Sequence, residues 1–184
     1  MKWKKEDRID CAFIAGAIFS LCFMTILLIL FSDLVLPLFG ATHATPVFSP
    51  GAEKDIISLI DSARESIDIE VYLFTNEKAS SALIEAKKRG VRVRLIVERR
   101  TDADKEWKLI EKMAQEGIEI KMASQRFTLT HSKFMIIDGR RALVGSMNFS
   151  GSAFATNREA GVILSGKIVD EYKKIFEEDW QEAT

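Results

Sequence analysis

The sequence has few of the residues that cross-link a chain or bind a metal ion. It contains two cysteines and two histidines among 184 residues, and both cysteines, Cys11 and Cys22, lie near the N-terminus. The rest of the chain therefore cannot form an internal disulfide or a cysteine metal site. Its acidic residues and histidines do not have the spacing of a metal site. We therefore expect neither a metal nor another cofactor.

Proline and glycine are also scarce, with 3 and 10 residues. Hydrophobic residues make up 47% of the chain, charged residues 29%, and the formal net charge is −1. This composition is neither disordered nor collagen-like. The length suits about one folded domain.

Residues 11–31 carry no charged side chain, and as a helix they would extend roughly 30 Å, enough to cross a bilayer. Four basic residues precede them, whereas residues 32–52 contain no Lys or Arg. The positive-inside rule then predicts a single-pass membrane protein with a cytoplasmic N-terminus and an extracytoplasmic domain. A signal peptide is the alternative, with Thr42 and Ala44 at the cleavage site and a secreted domain.

These features divide the chain into four predicted parts. They are a basic flank at 1–10, a transmembrane segment at 11–31, a linker at 32–46 and a folded domain at 47–184. The last part is long enough to bury a core of its own.

Within this domain, apolar periodicity predicts alternating helices and strands, followed by a strand-rich half. Asn76 is a suitable N-cap for one helix, and Gly90 is suited to end it. Asp102 can cap the next helix, which Gly117 can end. The pattern predicts an α/β fold, a layered sandwich around a mixed sheet. Predicted strands cover residues 67–74, 91–97, 118–122, 133–137, 142–144 and 161–164, and a final helix covers 169–180.

Charge is unevenly distributed along the domain. Residues 87–141 contain 15 Lys and Arg against 8 Asp and Glu, and between Lys87 and Arg100 only Glu98 opposes seven basic residues. A single Lys or Arg of this kind usually lies in solvent at the edge of a helix or strand. The cluster of seven between Lys87 and Arg100, however, predicts a positive surface suited to a polyanion.

The segment 131–148, HSKFMIIDGRRALVGSMN, combines the groups that phosphate chemistry needs. His131 and Lys133 are two residues apart on a predicted strand, so their side chains leave the same face. An imidazole can attack or donate a proton near neutral pH, and the ammonium supplies a fixed positive charge. Gly145 leaves the backbone open, while the Ser146 hydroxyl and the Asn148 amide can bind phosphate oxygens.

The spacing H-x-K-x4-D-x6-G-S-x-N resembles the HKD motif of the phospholipase D superfamily, with Asp138 at its acidic position. Downstream, Asn157 and Glu159 resemble the N-x-E element of that family. From about residue 48 to 180 the chain is similar to the single-motif members, which include the bacterial Nuc endonuclease and Zucchini-type nuclease/phospholipases. The resemblance implies the phospholipase D-like α/β/α sandwich.

The resemblance also implies a mechanism. His131 attacks phosphorus to form a phosphohistidine, a second histidine protonates the leaving oxygen, and water then hydrolyses the intermediate. Lys133, Ser146 and Asn148 bind the phosphate, and the Glu159 carboxylate orients the catalytic histidine. Because each chain has one motif histidine, the resemblance implies a homodimer that shares one composite site. For Asp138, direct catalysis and a structural hydrogen bond at the strand end both remain open.

Three functions are compatible with these residues. The first is a metal-independent endonuclease that cleaves DNA or RNA with little sequence specificity, because the basic segment could follow a nucleic-acid backbone. The second is a phospholipase D or cardiolipin-type hydrolase, whose phospholipid substrate would lie beside a membrane anchor. The third is a non-catalytic module that binds nucleic acid or a membrane surface, against which the intact motif argues.

Overall fold

A computed structural model describes residues 11–30, 42–100 and 104–184, and the chain divides into two units between residues 41 and 42. The predicted basic flank, residues 32–41 of the predicted linker and the predicted helix cap Asp102 lie outside the described residues. The two units are taken separately below.

The first unit contains one described helix, α1, Cys11–Leu30. Among the residues that the structure describes, no helix is both long and apolar enough to span a membrane. The predicted single-pass membrane location with an extracytoplasmic domain is therefore wrong.

The second unit is built on a mixed sheet of seven strands. Strands β2, β3 and β4 are parallel, and every other neighbouring pair is antiparallel. This arrangement confirms the predicted α/β fold with a mixed sheet. The strands are β1 His43–Ser49, β2 Ser66–Val71, β3 Arg92–Val97, β4 Glu119–Met122, β5 Lys133–Ile137, β6 Arg141–Gly145 and β7 Glu159–Ser165, in the order β1-β7-β6-β5-β2-β3-β4.

Helices cover both faces of this sheet. Four helices contribute to the larger apolar core on one face, and the C-terminal helix packs on the other face through Val169 and Phe176, against Phe134 and Ile136 of β5. The helices of this unit are α2 Ala52–Asp61, α3 Glu77–Lys88, α4 Asp104–Gln115, α5 Gly151–Ala155 and α6 Ile168–Glu182.

The predicted helix ends are formed by local hydrogen bonds and backbone geometry. The Asn76 side chain accepts a hydrogen bond from the Ala79 amide at 2.9 Å and caps α3. Gly90 and Gly117 follow α3 and α4 with φ of 90° and 84°, a region that glycine adopts without strain. Both stop signals are therefore confirmed.

Strand β1 was missing from the sequence-based prediction, which placed residues 43–46 in a linker. It pairs with β7 along its whole length, from His43 opposite Ser165 to Ser49 opposite Glu159. Most of its side chains are exposed, and Pro46 is tolerated because β1 is an edge strand. A strand with so little buried surface has no clear apolar alternation.

A buried arginine holds α6 against the sheet. Arg94 of β3 donates to Asp68 at 2.7 Å and to Glu177 of α6 at 2.5 Å, and its guanidinium lies 4.8 Å from the centre of the Phe176 ring. Its side chain is only 6% exposed. Arg94 belongs to the segment predicted to form a positive surface, but here it is part of the interior.

A second buried group on this face, Glu70, faces Asp179 of α6 and Ser132. Its Oε2 atom has no hydrogen-bond partner among the described residues. Burial raises the pKa of Glu70 to about 7, a hydrogen bond from Ser132 acts in the opposite direction, and the Asp179 charge raises the pKa further. Burial also raises the pKa of Asp179.

We predict that Glu70→Gln stabilises the protein at high pH. The folded pKa lies above the ordinary value of 4.5, so the wild type loses stability as the pH rises from 4.5 to about 7, and the loss then remains. Urea unfolding should show a free energy of unfolding higher by about 1–3 kcal/mol at pH 8 and nearly unchanged at pH 4.

The matched control is Glu85→Gln, which changes an exposed carboxylate of α3 and should matter little at either pH. An equal effect of Glu70→Gln at pH 4 and pH 8 would show that Glu70 is not a buried titrating group.

Candidate active site

The motif residues lie at one edge of the sheet because of the strand directions. Strand β5 runs antiparallel to β2, so Lys133 at its start is opposite Val71 at the end of β2. Strand β7 likewise begins beside the end of β6, where Gly145 is opposite Gly161. The ends of β2, β3 and β6 therefore meet the starts of β5 and β7, and we call this the catalytic edge.

The structure brings His131 and Lys133 together on one aromatic ring. The imidazole ring of His131 lies 4.8 Å from the centre of the Tyr72 ring, and Nζ of Lys133 lies 5.3 Å from the same centre. Nζ of Lys133 also donates to the His131 carbonyl at 2.5 Å, and the Tyr72 amide donates to the Ser132 carbonyl at 3.1 Å. Tyr72 is thus the contact that joins the motif to the end of β2.

Sequence reasoning missed Tyr72, which it treated as one apolar position of the predicted strand 67–74. The signal lies in the strand register: once β5 is aligned with β2, the residue after Val71 falls beside the H-x-K segment. That pairing joins residues more than sixty positions apart, so no local pattern contains it.

Lys133 is half-buried at this edge. Burial lowers the pKa of its ammonium, and the nearby charge of Glu159 acts in the opposite direction. His131 is exposed. The site therefore presents a partly desolvated cation beside an accessible imidazole, which suits an anionic group at the protein surface.

Glu159 binds other partners than the one expected. Its Oε2 atom accepts a hydrogen bond from the Ser146 hydroxyl at 2.5 Å, and its Oε1 atom accepts one from the Asn157 amide at 3.1 Å. These two bonds lower the pKa of Glu159, against a smaller effect of burial and with the help of the Lys133 charge. None of its hydrogen bonds within the described chain is to His131, so the predicted orientation of that imidazole by Glu159 is not made within this protomer.

Ser146 is held by the same strand pair. Its hydroxyl oxygen accepts a hydrogen bond from the Ala160 amide at 3.2 Å, and its own amide donates to the Ala160 carbonyl at 3.0 Å. The side chain is exposed at the catalytic edge. Its hydroxyl hydrogen points to Glu159, so Ser146 links the β6 and β7 ends of the site.

Close packing of β6 against β7 requires glycine at position 145 of the motif. A Cβ atom on Gly145 would lie 2.5 Å from the Ala160 carbonyl oxygen and 2.6 Å from Cα of Gly161. Such contacts are shorter than real packing allows, so β6 and β7 can approach only with glycine here. The sequence analysis connected this glycine with phosphate access, whereas the structure also requires it for the strand pair that holds Glu159.

Asn148 lies just beyond β6 and is half-buried. Its side-chain oxygen is buried and has no hydrogen-bond partner in the part of the chain that the structure describes. A buried acceptor without a partner is costly, and because a phosphate oxygen is also an acceptor, only the amide nitrogen of Asn148 could bind one. Its role as a phosphate ligand remains a prediction.

Asp138 lies at the opposite end of β5, about 17 Å from Lys133 at 3.4 Å per residue. It has φ of 53°, and its carboxylate accepts hydrogen bonds from the amides of Arg64, Glu65 and Ser66 at 2.7 to 3.1 Å. Burial opposes these bonds, but they lower the pKa of Asp138. Of the two roles left open by the sequence, the geometry supports the structural one and removes Asp138 from the catalytic edge.

The basic segment does not form one positive surface. Arg94 is buried, Arg100 binds the buried Glu98 at 2.7 Å, and Lys88 pairs with Glu85 at 3.0 Å. These cations are therefore largely neutralised by partners in the same protomer.

Other cations do lie at the catalytic edge. Arg99 follows β3 and Arg158 precedes β7, so the two arginines lie on opposite sides of the His131 and Lys133 pair. Both are exposed, as is Arg126 on the connection between β4 and β5. Arg126 is paired with Glu182 at 2.5 Å, and Arg99 donates to Thr184.

An open groove of about 540 Å³ adjoins the pair on the α6 side. It is mostly apolar, and α6 contributes Ile168, Tyr172 and Ile175 to its wall. His131 and Lys133 line its other side. The site thus has cations along the sheet edge and an apolar wall beside it.

The comparison with protein families agrees with the geometry of this site. The family model described as "Cardiolipin synthase, PLD-like domain" matches residues 56–180, which includes the whole motif. This chain belongs to the phospholipase D superfamily. Membership accounts for the arrangement of His131, Lys133, Ser146 and Asn148 around one end of a mixed sheet.

Individual superfamily members show how far the likeness extends. The chain is 31% identical to a mitochondrial cardiolipin hydrolase of Chlamydomonas reinhardtii over 75% of its own length and 61% of that protein. It is also 31% identical to a phospholipase D of Rickettsia prowazekii, over 71% of this chain and 64% of the relative. The chain therefore spans about three fifths of the length of these curated relatives.

Among solved structures, the chain resembles Nuc, a phospholipase D family member from Salmonella typhimurium, with a TM-score of 0.74 and 28% identity. The match covers 78% of this chain and 97% of Nuc. About three quarters of this chain thus corresponds to nearly the whole of that phospholipase D family structure.

We predict that Asp138→Ala weakens the fold and spares the catalytic edge. Three backbone amides lose their acceptor, so urea unfolding should show a loss of about 1–3 kcal/mol at pH 7. The pKa of Asp138 is lowered in the folded protein, so its contribution is present above the ordinary value of 3.8 and disappears as the pH falls through the folded pKa.

The control is Asp61→Ala, which removes an exposed carboxylate from the end of α2 and should change stability by less than about 0.5 kcal/mol. A stable Asp138→Ala protein that had lost all hydrolytic activity would instead support the catalytic role.

Proposed function

We propose that this protein is a phosphodiesterase in which His131 forms a covalent phosphohistidine. The supporting observation is the contact of His131 and Lys133 with one Tyr72 ring at an open sheet edge. The imidazole attacks phosphorus, an N–P bond forms, and the P–O bond to the leaving group breaks. A second imidazolium gives its proton to the leaving oxygen, then accepts one from water as that water cleaves the N–P bond.

The other groups at this edge would hold the phosphate. Lys133 would face the non-bridging oxygens with a partly desolvated charge, the Asn148 amide nitrogen would donate to them, and the Ser146 hydroxyl would donate once it turns from Glu159. Within the described ranges, no three His, Cys, Asp or Glu side chains are grouped so that they could hold a metal ion. In the proposed mechanism, fixed cations and amide donors stabilise the negative charge of the phosphate, as a metal ion does in other phosphodiesterases.

The second imidazole would come from a second copy of the chain. The only other histidine, His43, begins β1 opposite Ser165, whereas Ser49 at the other end of β1 is opposite Glu159. His43 therefore lies about 20 Å along the strand from the catalytic edge. We propose a homodimer in which each protomer contributes one His131 and one Lys133 to a shared site.

Nucleic acid is the substrate that the charges of this edge favour. Arg99 and Arg158 flank the catalytic pair on both sides, in the direction along which a strand of phosphates would lie. Such contacts bind the backbone of DNA or RNA and carry little sequence information. We therefore propose an endonuclease of low sequence specificity.

The groove beside α6 favours a second candidate, a phospholipase. Its apolar wall of Ile168, Tyr172 and Ile175 could hold the hydrocarbon part of a phosphatidyl group while His131 reaches the phosphodiester. Relatives named phospholipase D and cardiolipin hydrolase agree with this alternative. The two substrates place different demands on the arginines and on the groove, so one experiment can separate them.

We predict hydrolysis in the presence of EDTA, on labelled single-stranded DNA, RNA or cardiolipin vesicles. His131→Ala and Lys133→Ala should each lower kcat by about 1,000-fold or more while unfolding at the wild-type urea concentration. His43→Ala is the matched control, since it removes the other histidine far from this edge and should retain full activity.

Cleavage of DNA or RNA alone supports the nuclease, and cleavage of cardiolipin alone supports the phospholipase. Activity lost with EDTA and restored by a metal would contradict the proposed mechanism. Absence of both hydrolysis and a trapped phosphohistidine would leave a binding module.

We predict that activity depends on paired protomers. When wild type and His131→Ala chains are unfolded together and refolded in equal amounts, about one quarter of the dimers hold two imidazoles, so about one quarter of the activity should remain. Independent monomers would retain about half. A mixture with His43→Ala should keep full activity, which controls for refolding.

A further inference from the structure

His131 lies outside the regular structure of the sheet. Strand β5 begins at Lys133, two residues later, and the connection from β4 through residues 123–132 contains neither helix nor strand. The hydrogen-bond ladder therefore aligns Lys133 directly but does not include His131. Another restraint has to hold the segment that leads into the histidine.

A fully buried carboxylate supplies that restraint. Glu98 follows the end of β3, and its side chain is 0% exposed. Its Oε2 atom accepts a hydrogen bond from the Thr130 amide at 2.8 Å, one residue before His131. The bond crosses from the end of a core strand to the residue next to the histidine.

Arg100 extends the same contact along the connection. Its Nε and Nη2 atoms donate to the two Glu98 oxygens at 2.7 and 2.9 Å. Its Nη1 atom donates to the carbonyls of Thr128 and Phe127. One ion pair therefore fixes three of the four residues that precede His131.

The cost of this pair argues for a role beyond stability. Burial would raise the pKa of Glu98, but hydrogen bonds from Arg100 and the Thr130 amide outweigh it, so the pKa is lowered and the group stays charged. A carboxylate buried against an exposed arginine loses its hydration and adds little net stability compared with apolar residues, whereas it holds one arrangement of its neighbours in preference to others. The neighbours here are the backbone atoms that lead to the histidine.

We propose that Glu98, with Arg100, is the positioning residue for His131. Neither side chain needs to touch the substrate, because each acts through the backbone of residues 127–130. The role in catalysis rests on the proposed function, in which His131 is the nucleophile. The restraint on the histidine itself does not depend on which reaction occurs.

The test compares two buried carboxylates changed in the same way. Glu98→Gln keeps the size of the side chain but removes the charge. Asp68→Asn does the same to the buried partner of Arg94, whose ion pairs in the described chain are with Arg92 and Arg94 and not with residues 127–130. The substrate is bis(4-nitrophenyl) phosphate, which has neither nucleobases nor acyl chains. Glu98→Gln should lower kcat about 10- to 100-fold with little change in KM, and Asp68→Asn should leave both unchanged per folded molecule.

A second measurement reads the histidine without any reaction. In protein labelled with 13C-histidine, only His43 and His131 give ring signals. Glu98→Gln should shift and broaden the His131 signal and leave the His43 signal in place, whereas Asp68→Asn should move neither. A purely structural role would lower the melting temperature of both variants without this selective change.

The two measurements separate the possible failures. If Glu98→Gln has the kcat of Asp68→Asn and an unchanged His131 signal, the positioning role is wrong. If the wild type hydrolyses no phosphodiester but the His131 signal still responds to Glu98→Gln, the positioning stands and the proposed function fails. If Glu98→Gln does not fold, Arg100→Lys keeps the charge without the planar set of donors, and an unchanged kcat and His131 signal would then overturn the proposal.

Discussion

The antiparallel pairing of β5 with β2 is the constraint on which the site depends. It reverses the direction of the sheet beside a group of parallel strands, so the start of the motif strand meets the ends of β2 and β3. Tyr72, Glu98 and His131 become neighbours only because of this reversal. In an all-parallel arrangement, the start of β5 and the end of β2 would lie at opposite edges of the sheet.

The packing of α6 on the sheet explains why ionisable groups are buried near the site. Glu70 and Arg94 lie on strands covered by α6, and each is buried where a polar group normally needs a partner. Arg94 finds two carboxylates and becomes a link between the sheet and α6. Glu70 instead faces the carboxyl group of Asp179 and the hydroxyl of Ser132, which stabilise its charged form less well than a cation would. Its raised pKa is the physical result.

How much of this could be predicted depends on how far apart in sequence the partners are. The α/β class and the caps at Asn76 and Gly90 follow from patterns within a few residues. The pairing of His131 with Lys133 was expected from one strand that contains both, whereas His131 precedes β5 and meets Lys133 at the Tyr72 ring. The burial of Arg94 cannot be predicted from such patterns, because its partner Glu177 lies 83 residues away. An arginine in a basic segment is expected to be solvated, but this one is buried. Asp138 lies between these cases: its position at the far end of a five-residue strand follows from strand geometry, but its three amide partners come from residues 64–66.

Two kinds of restraint meet at the catalytic pair. Lys133 is aligned by the backbone ladder of β5, which is rigid and has a fixed register, whereas His131 is held from outside by side chains that reach its connecting segment. A nucleophile in a strand would have its direction fixed by the pleat, alternating from face to face with each residue. A histidine two residues ahead of the strand is free of that alternation, so the ring contact with Tyr72 and the bond from the Thr130 amide to Glu98 can set its position. If His131 is positioned in this way, the burial of Glu98 is the energetic cost of holding the histidine where the sheet ladder does not reach.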